Sequence, residues 1–141
     1  MHKVICGIFC IFAVSFGLAG CMTYQDLKTQ EPLTSFEIAD DYRVVYRRIV
    51  SKARECNPVS SFIVNADLFG DIRAARISSN APGVTELFAY VIDIRATGDG
   101  KTVVELRSWG ATGAKIARNL KQWATDTKSA CDSATTSYKS P

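Results

Sequence analysis

The sequence predicts an α+β domain: a helix, a four-stranded antiparallel sheet and a second helix, with both helices on one face of the sheet. Three observations predict it. Two segments, near residues 42–56 and 111–126, repeat apolar residues at spacings of three and four. Between them lie segments that alternate apolar and polar residues in steps of two. The joints between those segments are short and rich in Gly, Asn, Asp and Pro, which suits antiparallel neighbours.

In the first helical segment Tyr42, Val45, Tyr46, Ile49, Val50 and Ala53 form the apolar stripe, while Arg43, Arg47, Arg48, Lys52 and Arg54 fill the solvated face. Asp40 and Asp41 precede it and suit its positive end, and Asn57-Pro58 stops it. Residues 60–68 follow as a strand with Phe62, Val64, Ala66 and Leu68 on one face, then a turn at Phe69-Gly70-Asp71. A second strand, 72–78, has less cleanly sorted faces, and 79–83 reads as a loop. Residues 86–96 give the strongest strand, with Phe88, Tyr90, Ile92 and Ile94 on one face and Ala89, Val91, Asp93 and Arg95 on the other.

The last strand runs from Thr102 to Trp109, with Val104 and Leu106 inward. Two registers suit its hairpin. A loop over Gly98–Gly100, with Gly100 in the left-handed region, sets Asp93 opposite Glu105. A slide of two residues sets Arg95 opposite Glu105 and Asp93 opposite Arg107, and keeps the same faces. The glycine turn is favoured, because Asp93 still reaches Arg107 diagonally. The second helix buries Ile116, Ala117, Leu120, Trp123 and Ala124, and residues 132–141 form a disordered polar tail.

The N-terminus reads as an address. His2-Lys3 is followed by a largely apolar stretch of thirteen residues, Val4 to Phe16, and then by Leu18-Ala19-Gly20-Cys21. A basic start, a short apolar run and small residues at a cut site mark a secretory signal, and the run is too short to span a bilayer. The tetrapeptide resembles the lipobox of bacterial lipoproteins. That resemblance implies removal of residues 1–20, alkylation of the Cys21 thiol by diacylglycerol, and a protein held to lipid by acyl chains such as palmitate. Met22, where an Asp tends to retain such proteins in the inner membrane, favours the outer membrane, with the domain facing the periplasm. The whole chain is similar to small lipoproteins of Gram-negative envelopes, a resemblance that implies location and not activity.

Residues 21–37 are then the lipidated cysteine and a flexible tether, with the alternative that Leu33 and Phe36 pack as a short lead-in strand. The folded domain covers 38–131. The mature chain loses Lys3, leaving 16 Lys and Arg against 14 Asp and Glu, a net charge of +2. Such a small, dispersed excess excludes a nucleic-acid reading. Cys6 and Cys10 leave with the signal. Cys56 and Cys131 remain, and a lone pair in an exported protein reads as a disulfide, with two free buried thiols as the alternative. Its loop entropy amounts to roughly 4 kcal/mol.

Several chemistries are excluded. The only histidine is His2, so the mature chain cannot run Ser-His-Asp or Cys-His catalysis, and most transition-metal sites are removed with it. There is no CxxC, and Gly110–Lys115 lacks the spacing of a phosphate loop. The carboxylate pairs Asp40/Asp41 and Asp93/Glu105 read as a helix cap and an ion-paired ladder rather than an acid–base couple. No catalytic residue, cofactor or metal is expected. The candidate interaction patch is the outward face of the last hairpin: Val91, Arg95, Val103, Arg107 and Trp109. The expected function is a non-enzymatic, membrane-anchored protein that binds an envelope partner. The alternatives are a small ligand-binding or inhibitory module, and a hydrolase working without histidine.

Overall fold

The computed structural model describes residues 24–57, 61–83, 87–98, 100–126, 128 and 131. The signal segment, Cys21 and the 132–141 tail lie outside the described residues. Eight elements follow in order: α1 (Tyr24–Thr29), β1 (Thr34–Ile38), α2 (Tyr42–Glu55), β2 (Ile63–Phe69), β3 (Ala74–Asn80), β4 (Phe88–Gly98), β5 (Lys101–Ser108) and α3 (Gly110–Thr125). The α+β class and the antiparallel sheet hold, but the sheet has five strands, in the order β1-β5-β4-β3-β2.

The fifth strand comes from the segment expected to be tether, where the alternative reading placed a short lead-in strand. β1 pairs antiparallel with β5, placing Phe36 opposite Val104 and Ile38 opposite Thr102. Phe36 packs against the core and Ile38 belongs to it. Five residues are too few to show a period, so this strand is specified by the free edge of β5 rather than by its own pattern. Leu33, offered as a packing residue, stays 52% exposed.

Both edge strands run in the same direction, and α2 crosses the sheet from one edge to the other. Its Asp41 side chain accepts from the Arg43 backbone N–H at 2.9 Å, as the N-cap expectation requires. Val45, Ile49 and Ala53 are buried against the sheet together with Ile116, Leu120 and Trp123 of α3. Burying such side chains stabilises the fold by about 1.5–3 kcal/mol each. Lys52 departs from expectation: it is buried, with its ammonium directed to Glu55 at 2.8 Å. Its aliphatic stem covers apolar surface while its head reaches the rim. Arg48 likewise leaves the solvated face, donating to Asp40 at 2.7 Å and to the Ala124 carbonyl at 3.2 Å, which ties α2 to the end of α3.

The hairpin keeps the pairing of the glycine-turn reading, with Asp93 facing Glu105 and Gly100 at φ +71°. Its loop is shorter than expected, because Gly98 pairs with Lys101 and the register shifts between Ala96 and Gly98. A second irregularity has no local sequence signal. The β3–β4 register shifts where Ser79 meets Tyr90 and Asn80 meets Phe88, leaving Ala89 as the extra residue. That bulge turns Ala89 into the core and leaves Phe88 against the Tyr24 ring, reversing the two faces expected at the start of β4. Ser79 and Asn80, expected in a loop, complete β3.

Cys56 caps α2 and is bonded to Cys131 beyond α3, with Cα atoms 5.2 Å apart. The bridge links the end of one helix to the chain after the other, as expected. Among the described residues, no helix is long and apolar enough to cross a membrane.

Candidate functional site

The sheet face turned away from α2 and α3 is where charge gathers. Strand alternation places Arg76 and Ser78 of β3, Asp93 and Arg95 of β4, and Glu105 and Arg107 of β5 on this face. Asp93 and Glu105 stand opposite each other, and arginines offset their repulsion. Arg76 Nε donates to Asp93 at 2.8 Å, and Arg95 Nη2 to Glu105 at 3.0 Å. Arg107 sits between the carboxylates, reaching Asp93 at 3.2 Å and Glu105 at 3.1 Å. All four carboxylate oxygens thus carry an arginine partner, so neither residue is placed as a free acid or base.

The α1 helix covers part of this face. Leu27 is fully buried, as is Val91, and both stand outside the helix-side core. Tyr24 stacks on the Arg76 guanidinium, 4.7 Å from its ring centre, and tilts against Phe88 at 5.8 Å. Partial burial pushes the Tyr24 phenol up, and the Arg76 charge pulls it back. The third arm of Arg107, Nε, donates to the Gln30 carbonyl at 3.1 Å. One guanidinium therefore joins the charge ladder to the segment that covers it.

Beside α1 the face opens into a groove of about 390 Å³. Arg76, Asp93, Arg95, Glu105 and Arg107 form its floor, Lys28 of α1 borders it, and Phe69 and Ile72 from the β2–β3 turn form its lip. Four cations against two carboxylates leave a local surplus of two positive charges. Ile72 is 68% exposed and Phe69 38%, so the lip offers apolar area to whatever enters.

The five residues expected to form one patch are divided. Val91 lies beneath α1 and is not accessible. Arg107 is largely covered, Val103 half-buried and Arg95 exposed. Trp109 is 45% exposed but sits at the opposite end of the strands from the groove lip, its Nε1 donating to the Phe88 carbonyl. The patch is corrected on this point: alternation gives the outward face correctly but cannot show that α1 lies across it. Lys28, Arg76, Phe69 and Ile72 were missed. Two large apolar residues flanking a Gly-Asp turn are the signal that could have pointed to the lip.

Elsewhere the chemistry is sparse. Asp41 caps α2 as expected, whereas Asp40 does not act as a cap and pairs with Arg48 instead. Among the described residues, one group of metal-capable side chains comes together, Glu55 with Cys56 and Cys131. Both sulfurs are committed to the disulfide, which leaves a single carboxylate, too few ligands for an ion. No family model matches this chain, and no curated protein matches it.

Proposed function

We propose that this chain is a lipid-anchored, non-enzymatic protein of the Gram-negative envelope that grips an acidic segment of a partner protein in its outer-face groove. The observation that carries the reading is the groove itself: a surplus of two positive charges on a rigid sheet, bordered by the exposed side chains of Phe69 and Ile72. Aromatic and arginine side chains set around a concave surface are the usual make-up of a protein contact. The lipobox-like Leu18–Cys21 supports an acyl anchor, and Met22 supports the outer membrane facing the periplasm. The absence of histidine after residue 20 and the full pairing of Asp93 and Glu105 support a binding rather than a catalytic role.

A photo-crosslinking amino acid placed at Ile72 in cells tests the groove. A single envelope protein should be captured, and Arg95→Glu with Lys28→Glu should abolish its capture while leaving the fold intact. Capture that survives the charge reversal would refute the reading. Cys21→Ser should release the protein into the soluble periplasm, and persistent membrane attachment would refute the acyl anchor. A second reading is favoured by the groove volume, which falls within the range of small-molecule sites. If a small organic anion, and not a peptide, binds with the same charge dependence, the protein is a ligand-binding module.

A further inference from the structure

We propose that the end of the sheet carrying Tyr24, Phe88 and Trp109 lies against the bilayer surface, with the Trp109 indole at headgroup depth. The proposal rests on the acyl-anchor reading of Cys21 and extends it to an orientation.

Three Cα–Cα steps separate Cys21 from Tyr24 in sequence. Fully extended, they span at most about 10 Å. Tyr24 is not on a loose leash, because α1 is seated on the sheet by Leu27, by the Arg76 stack and by the Arg107 bond to Gln30. The attachment point of the lipid is therefore confined to a small region around the start of α1. A sixteen-residue flexible tether would have allowed roughly 20 Å and any orientation; the docked segment removes that freedom.

What lies around the start of α1 suits a lipid interface. The Phe88 ring meets the Tyr24 ring, and the Trp109 indole N–H donates to the Phe88 backbone carbonyl, which places all three residues at one end of the sheet. Trp and Tyr favour the headgroup layer, where an apolar ring and a polar edge are both accommodated. Ile63 begins β2 in register with Asn80 and Phe88, hence at this same end, and is 51% exposed. The β2–β3 turn, with Phe69 and Ile72, is at the far end of the strands. The same orientation therefore turns the groove lip away from the bilayer, towards the side on which the proposed partner would be met.

The test uses the full acylated chain, purified from membranes and reconstituted in phosphatidylethanolamine–phosphatidylglycerol vesicles. Trp123 is buried in the core, so Trp123→Phe leaves Trp109 as the single fluorophore. If that variant does not fold, the native chain serves, because Trp123 contributes a constant background. Trp109 emission should shift by several nanometres to the blue on anchoring. It should be quenched at least twofold by lipids carrying a headgroup-level spin label, and lose most of its sensitivity to acrylamide. Phe69→Trp in the Trp109→Phe, Trp123→Phe background should show no lipid quenching. Trp109 that stays open to acrylamide in an anchored protein overturns the orientation and leaves the anchor standing. Trp109 shielded from both quenchers overturns it in favour of a second copy of the chain. A protein whose mass shows no acyl groups, and which does not float with vesicles, overturns both readings.

Discussion

Arg107 is the side chain on which the outer face depends, and Arg107→Met isolates its contribution. The substitution keeps an unbranched apolar stem and removes three contacts, at 3.2 Å to Asp93, 3.1 Å to Glu105 and 3.1 Å to the Gln30 carbonyl. It leaves two carboxylates directly opposite each other across β4 and β5. At about 5 Å and an effective dielectric of about 20, their repulsion is about 3 kcal/mol. Arg76 and Arg95 remain and damp this, and the groove admits water, so a net loss of about 2 kcal/mol is expected. Urea unfolding of the soluble chain from residue 22, with the disulfide intact, measures it. The sharper readout is Glu105→Gln. In the otherwise native chain it should destabilise by about 1 kcal/mol, because two ion pairs go. In the Arg107→Met background it should restore about 1 kcal/mol, because it removes a repelling charge. Hydrogen exchange should also rise across α1 more than elsewhere. An Arg107→Met loss below about 0.5 kcal/mol, or a Glu105→Gln effect of the same sign in both backgrounds, would show that Arg107 does not hold the two carboxylates together.

Other expectations follow from single contacts. Reducing the Cys56–Cys131 bridge, which spans 75 residues of sequence, should lower stability by about 4.5 kcal/mol on the loop-entropy argument, seen as a shifted denaturation midpoint; a loss under about 1 kcal/mol would contradict it. The Tyr90 hydroxyl is buried without a hydrogen-bond partner, as is the Ser79 hydroxyl opposite it, so Tyr90→Phe should leave stability unchanged or raise it by about 1 kcal/mol. Burial pushes the Tyr90 phenol up to about 12. The stability tied to the neutral phenol is complete below pH about 10. It should fall by about 1.4 kcal/mol per pH unit between about 10 and 12, as only the unfolded chain ionises there. Absorbance titration near 295 nm checks this, and a group titrating at the ordinary value would contradict it. Gly113→Ala should destabilise by about 2 kcal/mol, against a helix-propensity gain of about 1, because its Cβ would lie 2.7 Å from the Ser108 Cβ and 2.9 Å from Leu33. A more stable variant would show that α3 is free to move outward.

What could be read from the chain was what short-range periodicity encodes. The stripes of α2 and α3, the alternation of Tyr90, Ile92 and Ile94, and the left-handed Gly100 all follow from local rules, because helix and strand geometry repeat every 3.6 and 2 residues. The cysteines could be paired because only two remain once the N-terminal segment is set aside, and helix ends fix where they point. β1 was legible only as the alternative lead-in strand through Leu33 and Phe36, and α1 not at all. Five and six residues carry too little pattern, and they fold because β5 offers an unpaired edge and Arg76, Val91 and Arg107 offer a surface. The bulge at Ala89 belongs to the same class, since one extra residue in a pairing is visible only when the partner strand is in place. The groove is a consequence of all three. Its cations come from α1, β3, β4 and β5, separated by up to 79 positions in sequence, and long-range packing alone sets them on one floor.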